Sequence, residues 1–148
     1  MRKKGRQTMT TREWLNRGYQ LSRRLEIKKA YRDSLANVIS RYETSESQSD
    51  HTRNVSEDTF IRWSETQREI EQMELKLRNI DTATDEVIRK IENSDEYVVL
   101  FCRYIRRLPW SEVANVVGYS SQHVYRLHAD GVKACDDYME SVNFFRTL

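Results

Sequence analysis

Residues 109–134, PWSEVANVVGYSSQHVYRLHADGVKA, hold an apolar run, a lone Gly-Tyr, two serines and then a stretch rich in histidine, tyrosine and arginine. Trp110 to Val117 reads as a short helix with Val113, Ala114 and Val117 inward. Gly118 ends it, because glycine adopts the left-handed conformation after a helix at least cost. Ser120 is a good N-cap for the next helix. In that helix Val124 and Leu127 turn to the core, which leaves Ser121, Gln122, His123, Tyr125 and Arg126 outward on its first two turns. Two helices joined by a tight turn are therefore expected. The polar cluster directly behind the turn is the feature that a merely supporting hairpin does not need.

Upstream, NSDEYVVLFCRYIRRL (93–108) supplies a third helix. Asp95 or Ser94 can cap its start, while Val98, Phe101, Cys102 and Ile105 recur at helical spacing. Arg106 and Arg107 close the last turn, where cations suit the helix dipole, and Pro109 is expected to stop it.

Further upstream the pattern becomes rod-like. Trp63, Thr66, Ile70, Met73, Leu77, Ile80, Thr84, Val87 and Ile91 step by alternating threes and fours, and seven of these nine are apolar. That is an a/d seam. A weaker seam runs through Trp14, Gly18, Leu21, Leu25, Lys28, Arg32, Leu35, Ile39 and Tyr42. Between them TSESQSDHTRNV (44–55) is polar and aperiodic and reads as a loop. The two seams predict either an antiparallel hairpin within the chain or pairing with a second copy, and a homodimer through residues 56–92 is expected.

Composition agrees with long solvated helices. The 148 residues are 38% apolar and 32% charged, with only four glycines and one proline. The expected fold is all-α, with a helical or coiled-coil region over 1–92 and a small three-helix domain over 93–148. Net charge is +2 but uneven: residues 1–43 carry 12 Lys/Arg against 4 Asp/Glu, and residues 44–94 carry 7 against 12. Basic and acidic segments are expected to pair, although the basic one also suits nucleic acid. No stretch is long and apolar enough for a membrane span, and MRKKGRQ lacks the apolar run of a signal peptide, so a cytoplasmic protein is expected.

The outward set on the last helix points to DNA. The N-terminal turns of a recognition helix reach base edges in the major groove, where Arg126 suits guanine, Gln122 suits adenine, and Ser121, His123 and Tyr125 suit bases or phosphates. Other chemistry finds little support. His123, His128, Cys102 and Cys135 lack metal-ligand spacing, and no phosphate loop, nucleophile elbow or His-Glu-x-x-His occurs. No catalytic group, metal, cofactor or small-molecule substrate is expected. Trp14, Trp63 and Trp110 read as packing anchors.

YVVLFCRYIRRLPWSEVANVVGYSSQHVYRLHADGVKAC (97–135) resembles the helix-turn-helix of sigma-factor region 4, and SEVANVVGYSSQHVYRLH is similar to small phage late-gene activators of the ArpU and RinA kind. The resemblance implies a DNA-binding transcriptional regulator acting in a bacterial host cell, with RNA polymerase as a further partner. It places base and phosphate contacts on Ser121, Gln122, His123, Tyr125 and Arg126, and backbone contacts on Arg106, Arg107 and Lys133. Two departures stand out. Pro109 occupies a position where Ser or Thr commonly caps, and Asp130-Gly131 interrupts the recognition helix, so a bend or fraying beyond Ala129 is expected. The alternatives are a DNA-packaging protein like a terminase small subunit and a helical protein–protein interaction module.

Overall fold

The computed structural model describes residues 9–44 and 50–146. Every regular element in them is helical, in the order α1 (Thr11–Leu15), α2 (Arg17–Glu43), α3 (Asp50–Ile88), α4 (Ser94–Leu100), a π-helical turn (Phe101–Ile105), α5 (Trp110–Val117), α6 (Ser121–Ser141) and a 3₁₀ turn (Phe144–Arg146). The protein is all-α. Among the described residues no helix is long and apolar enough to cross a membrane.

Packing divides the chain into two compact units, Gln20–Arg78 and a second that joins Met1–Tyr19 to Asn79–Leu148. The boundary expected at residues 92 and 93 is therefore displaced. The reason is a shared core: Val87 and Ile88 from the end of α3, Ile91 just after it, and Trp14 and Leu15 from α1 are buried in one cluster with Val99, Leu100, Val113, Val124, Leu127, Cys135 and Met139. The last three helices do not close a core by themselves.

The unit Gln20–Arg78 is an antiparallel hairpin of α2 against α3. Its apolar centre is Leu25, Ile70 and Leu77, with Leu21 and Met73 packed against them. The α3 seam lies on the covered side throughout, from half-buried Trp63 through buried Thr66 and Ile70 to buried Leu77. Its partner is α2 of the same chain. Of the two expected pairings, the one seen here is the antiparallel hairpin within the chain.

Lys28 and Arg32, misfits in the α2 pattern, are accommodated because long side chains lay their stems on apolar surface and extend their charges to the edge. Lys28 reaches Glu69, Lys29 pairs with Glu74 at 2.9 Å, and Arg32 donates to Gln67 Oε1 at 3.0 Å. The expected meeting of basic and acidic segments is realised here. Residues 45–49 of the expected 44–55 loop lie outside the described residues, but α3 starts at Asp50, so Asp50–Val55 is helix and not loop. A polar stretch without glycine or proline has nothing in it to break a helix.

In the other unit, Thr10 caps α1 by a capping box: its hydroxyl accepts from Glu13 N–H, and the Glu13 carboxylate accepts from Thr10 N–H at 2.9 Å. Arg17 then links α1 to the end of α3. Its guanidinium donates to Trp14 O at 2.7 Å, Thr84 Oγ1 at 3.1 Å and Ile80 O at 3.3 Å, and lies 3.7 Å from the Trp14 ring centre.

Helix α4 begins with Asn93, whose side chain accepts from Glu96 N–H at 3.1 Å, in place of the expected Ser94 or Asp95. It ends earlier than expected. A π turn carries Arg106 N–H to Phe101 O, and Arg107 takes a left-handed conformation with φ 55°. The chain has thus already left the helix before Pro109, and proline contributes by restricting the residue before it. Within the π turn Cys102 and Tyr104, two positions apart, are both buried.

Gly118 ends α5 at φ 73° and ψ 25°. Ser120 caps α6 by accepting from His123 N–H at 3.3 Å. Helix α6 runs unbroken to Ser141, so the bend expected beyond Ala129 does not occur. Gly131 has a packing role instead. A Cβ there would lie 2.5 Å from Leu100 Cδ1, so glycine permits the close approach of α6 to α4.

Candidate nucleic-acid interface

The end of α6 that follows the turn is held by its apolar residues and free on its polar ones. Val124 and Leu127 are buried, while Ser121, Gln122, Tyr125 and Arg126 are exposed and His123 is half-buried. Among the described residues no ion pair engages Arg126, and no side-chain hydrogen bond engages Gln122. These four exposed side chains come together on the first two turns, as the pattern of residues 120–127 predicts.

The turn itself is braced. Tyr119 donates its hydroxyl to Asp95 Oδ2 at 3.0 Å, a bond that holds the phenol above its ordinary pKa, and its ring meets His123 edge-on at 4.5 Å. His123 is thus partly a structural residue. On the opposite flank the Tyr125 ring lies 5.1 Å from Trp110, the first residue of α5. The turn is fixed to α4 by a hydrogen bond, and the helix start to α5 by an aromatic contact.

The positive residues separate into three situations. Arg106 is exposed just after the π turn. Arg107 turns inward: its guanidinium meets the Asp81 carboxylate through two contacts of 2.8 and 3.2 Å, and its side chain is 18% exposed. A bidentate pair of this kind occupies the donors that a phosphate would need, so Arg107 drops out of the expected set. Its left-handed backbone is what directs it there. Lys133 is exposed on the same stripe as Gln122 and Arg126, roughly 10 Å further along the helix at 1.5 Å per residue. Beyond it the stripe turns acidic with exposed Asp136, Asp137 and Glu140. Along α6 the stretch from Ser121 to Lys133 presents the surface that suits phosphate.

A buried polar pair lies beneath this surface. His128 Nε2 is 2.5 Å from the Tyr104 hydroxyl, and the imidazole meets Trp110 edge-on at 4.9 Å. Burial, together with the charges of Arg12 and Arg103, lowers the His128 pKa to about 4, so the ring is neutral and shares one hydrogen bond with the tyrosine hydroxyl. Burial likewise raises the Tyr104 pKa, and it pushes the Cys135 thiol up to about 12. A thiol so placed is packing material. Among the described residues His123, His128, Cys102 and Cys135 form no group close enough to share a metal ion.

The sequence reading missed Arg12 and Arg103 as members of a common site. Arg103 lies 4.4 Å from the Trp110 ring centre and donates to Leu108 O at 3.0 Å. Arg12, from α1, lies near enough for its charge to act on both Tyr104 and His128. The only signal was that both belong to locally basic stretches.

These features define an all-α protein with a braced helix pair that presents one polar helix end. No family model, no curated protein and no solved structure matches the chain.

Proposed function

We propose that the protein is a sequence-specific DNA-binding transcriptional regulator, an activator of late phage or prophage genes acting in the cytoplasm of a bacterial host. The observation that supports this best is the N-terminal end of α6. Its exposed Ser121, Gln122, Tyr125 and Arg126 stand on a helix pinned by Val124 and Leu127, and those residue types read base edges in a major groove. The start of α5 fits the same reading, because Pro109 offers no side-chain cap and leaves first-turn amides for a phosphate. Arg106 and Lys133 serve as backbone contacts, and RNA polymerase remains a proposed partner.

Selection of bound duplexes from a random pool with the full chain tests the proposal. A defined sequence should emerge. At that site Arg126→Ala and Gln122→Ala should each cost on the order of 1–3 kcal/mol and alter the selected sequence, whereas Arg106→Ala should weaken all duplexes alike and reduce the salt dependence. Identical behaviour of the two kinds of variant, or no selected sequence, defeats the proposal.

One observation supports a protein partner in addition. Ile27, Phe60, Ile61 and Leu75 are large apolar residues more than half exposed on α2 and α3. Ile61 and Leu75 are four helical turns apart and so share a face. Self-association through these outer faces, not through the covered seam, would supply the homodimer. A solution mass at micromolar concentration distinguishes a dimer from the ring of a DNA-packaging subunit and from a monomer.

A further inference from the structure

A second site lies beside Trp110, in a cleft of about 360 Å³. Its walls are Thr10, Arg12, Glu13 and Asn16 from the α1 region, with Arg103, Tyr104 and Trp110. The volume falls at the lower end of the roughly 300–1,000 Å³ of small-ligand sites.

Two guanidinium groups face this cleft without a carboxylate partner among the described residues. Glu13 is the one acid in the wall, and its carboxylate is used on Thr10 N–H. Arg103 spends one donor on Leu108 O at 3.0 Å. A guanidinium has five donors in a fork that matches a tetrahedral oxyanion, so most of the donors in this pair are uncommitted. Two like charges beside a buried neutral Tyr–His pair repel each other unless an anion enters. Hydroxyl and amide side chains from Thr10 and Asn16 complete a polar lining.

We infer that the cleft between α1 and the π turn binds a phosphate group, held by Arg12 and Arg103. The group can come from a DNA backbone or from a free phosphorylated molecule. A phosphate is favoured over a carboxylate because the cleft adjoins the start of α5, whose other neighbour Tyr125 belongs to the candidate interface. Only the DNA arm of this inference rests on the function proposed above.

The test titrates inorganic phosphate and a nucleoside monophosphate into the full chain at fixed ionic strength, reading tryptophan fluorescence, and measures duplex affinity against salt. If the phosphate is free, the wild type gives a saturable signal that Arg12→Gln weakens at least about tenfold, or 1.4 kcal/mol. Arg103→Lys, which keeps the charge, should weaken it less than Arg103→Gln. If the phosphate belongs to DNA, free phosphate gives no saturable signal, while Arg12→Gln weakens all duplexes equally and lowers the salt slope by about one. Saturable phosphate uptake without duplex binding would defeat the DNA reading and leave the cleft standing. No saturable signal in the wild type, together with unchanged duplex affinity and salt slope in variants whose circular dichroism is native, overturns the inference. Because Arg12 is exposed, Arg12→Gln should fold, and the wild-type titration needs no variant at all.

Discussion

The hairpin Gln20–Arg78 and the unit containing α4 to α6 are built on different principles. In the hairpin the central cluster is just Leu25, Ile70 and Leu77 among the described residues, with Leu35 and Thr66 also buried, and exposed ion pairs line its edges. In the other unit a large cluster gathers residues from α1, α3, α4, the π turn, α5 and α6, and its member Tyr104 shares a hydrogen bond with the buried His128. A thin apolar seam tolerates charge beside it because solvent is near. A closed core tolerates polarity only when each group has its partner. The difference teaches where substitutions should be felt.

The largest effect should follow from cutting the second unit at its apparent sequence boundary. That boundary isolates a fragment of residues 93–148, which the sequence pattern marks as a small three-helix domain. It lacks Trp14, Leu15, Val87, Ile88 and Ile91, which belong to its core, and should give the circular dichroism of a largely unfolded chain. A cooperative native transition in that fragment would show that the shared core is dispensable.

Point truncations sharpen the same contrast. Leu100 is fully buried against Gly131, and Leu100→Ala should cost about 4 kcal/mol in urea unfolding. In the hairpin, Leu25→Ala should cost about 2 kcal/mol, since its surroundings are few and can collapse. Equal losses would mean that the two regions are packed alike.

Acid should act on the second unit alone. The unfolded His128 binds its proton near the ordinary pKa of 6.5, but the folded one only near 4. Its contribution is therefore complete above pH 6.5 and is lost as pH falls towards 4, amounting to about 2 kcal/mol at pH 5. Urea unfolding at pH 7 and pH 5 followed at Trp110 measures it, and a pH-independent midpoint would contradict a neutral, buried imidazole. The smallest effect is expected for Lys28→Ala, which removes an exposed pair with Glu69. The loss should be below about 1 kcal/mol and should fade with added salt.

Much of the fold and part of the site were legible beforehand. The seam from Trp63, the left-handed Gly118, the Ser120 cap and the inward Val124 and Leu127 are all set by neighbours within a few residues, and local periodicity reports them directly. The exposed set Ser121, Gln122, Tyr125 and Arg126 follows from the same periodicity. His123 is only half-exposed because of Tyr119, a contact across the turn that no spacing rule encodes.

What only the tertiary structure decided concerns partners distant in sequence. A seam shows that one face is buried and is silent about what covers it; here that is α2, in register through Lys28, Lys29 and Arg32. Arg107 read as a free cation beside Arg106 until a single left-handed residue turned it onto Asp81. Gly131 read as a weak point in a helix, yet it is the site of closest approach to Leu100. Arg12 and Arg103 share a cleft only because α1 packs in the core of the last helices. The sequence by itself determined the helices, their caps and their inward faces, since these depend on interactions a turn or less apart. Pairing across long separations depends on packing that no local pattern contains.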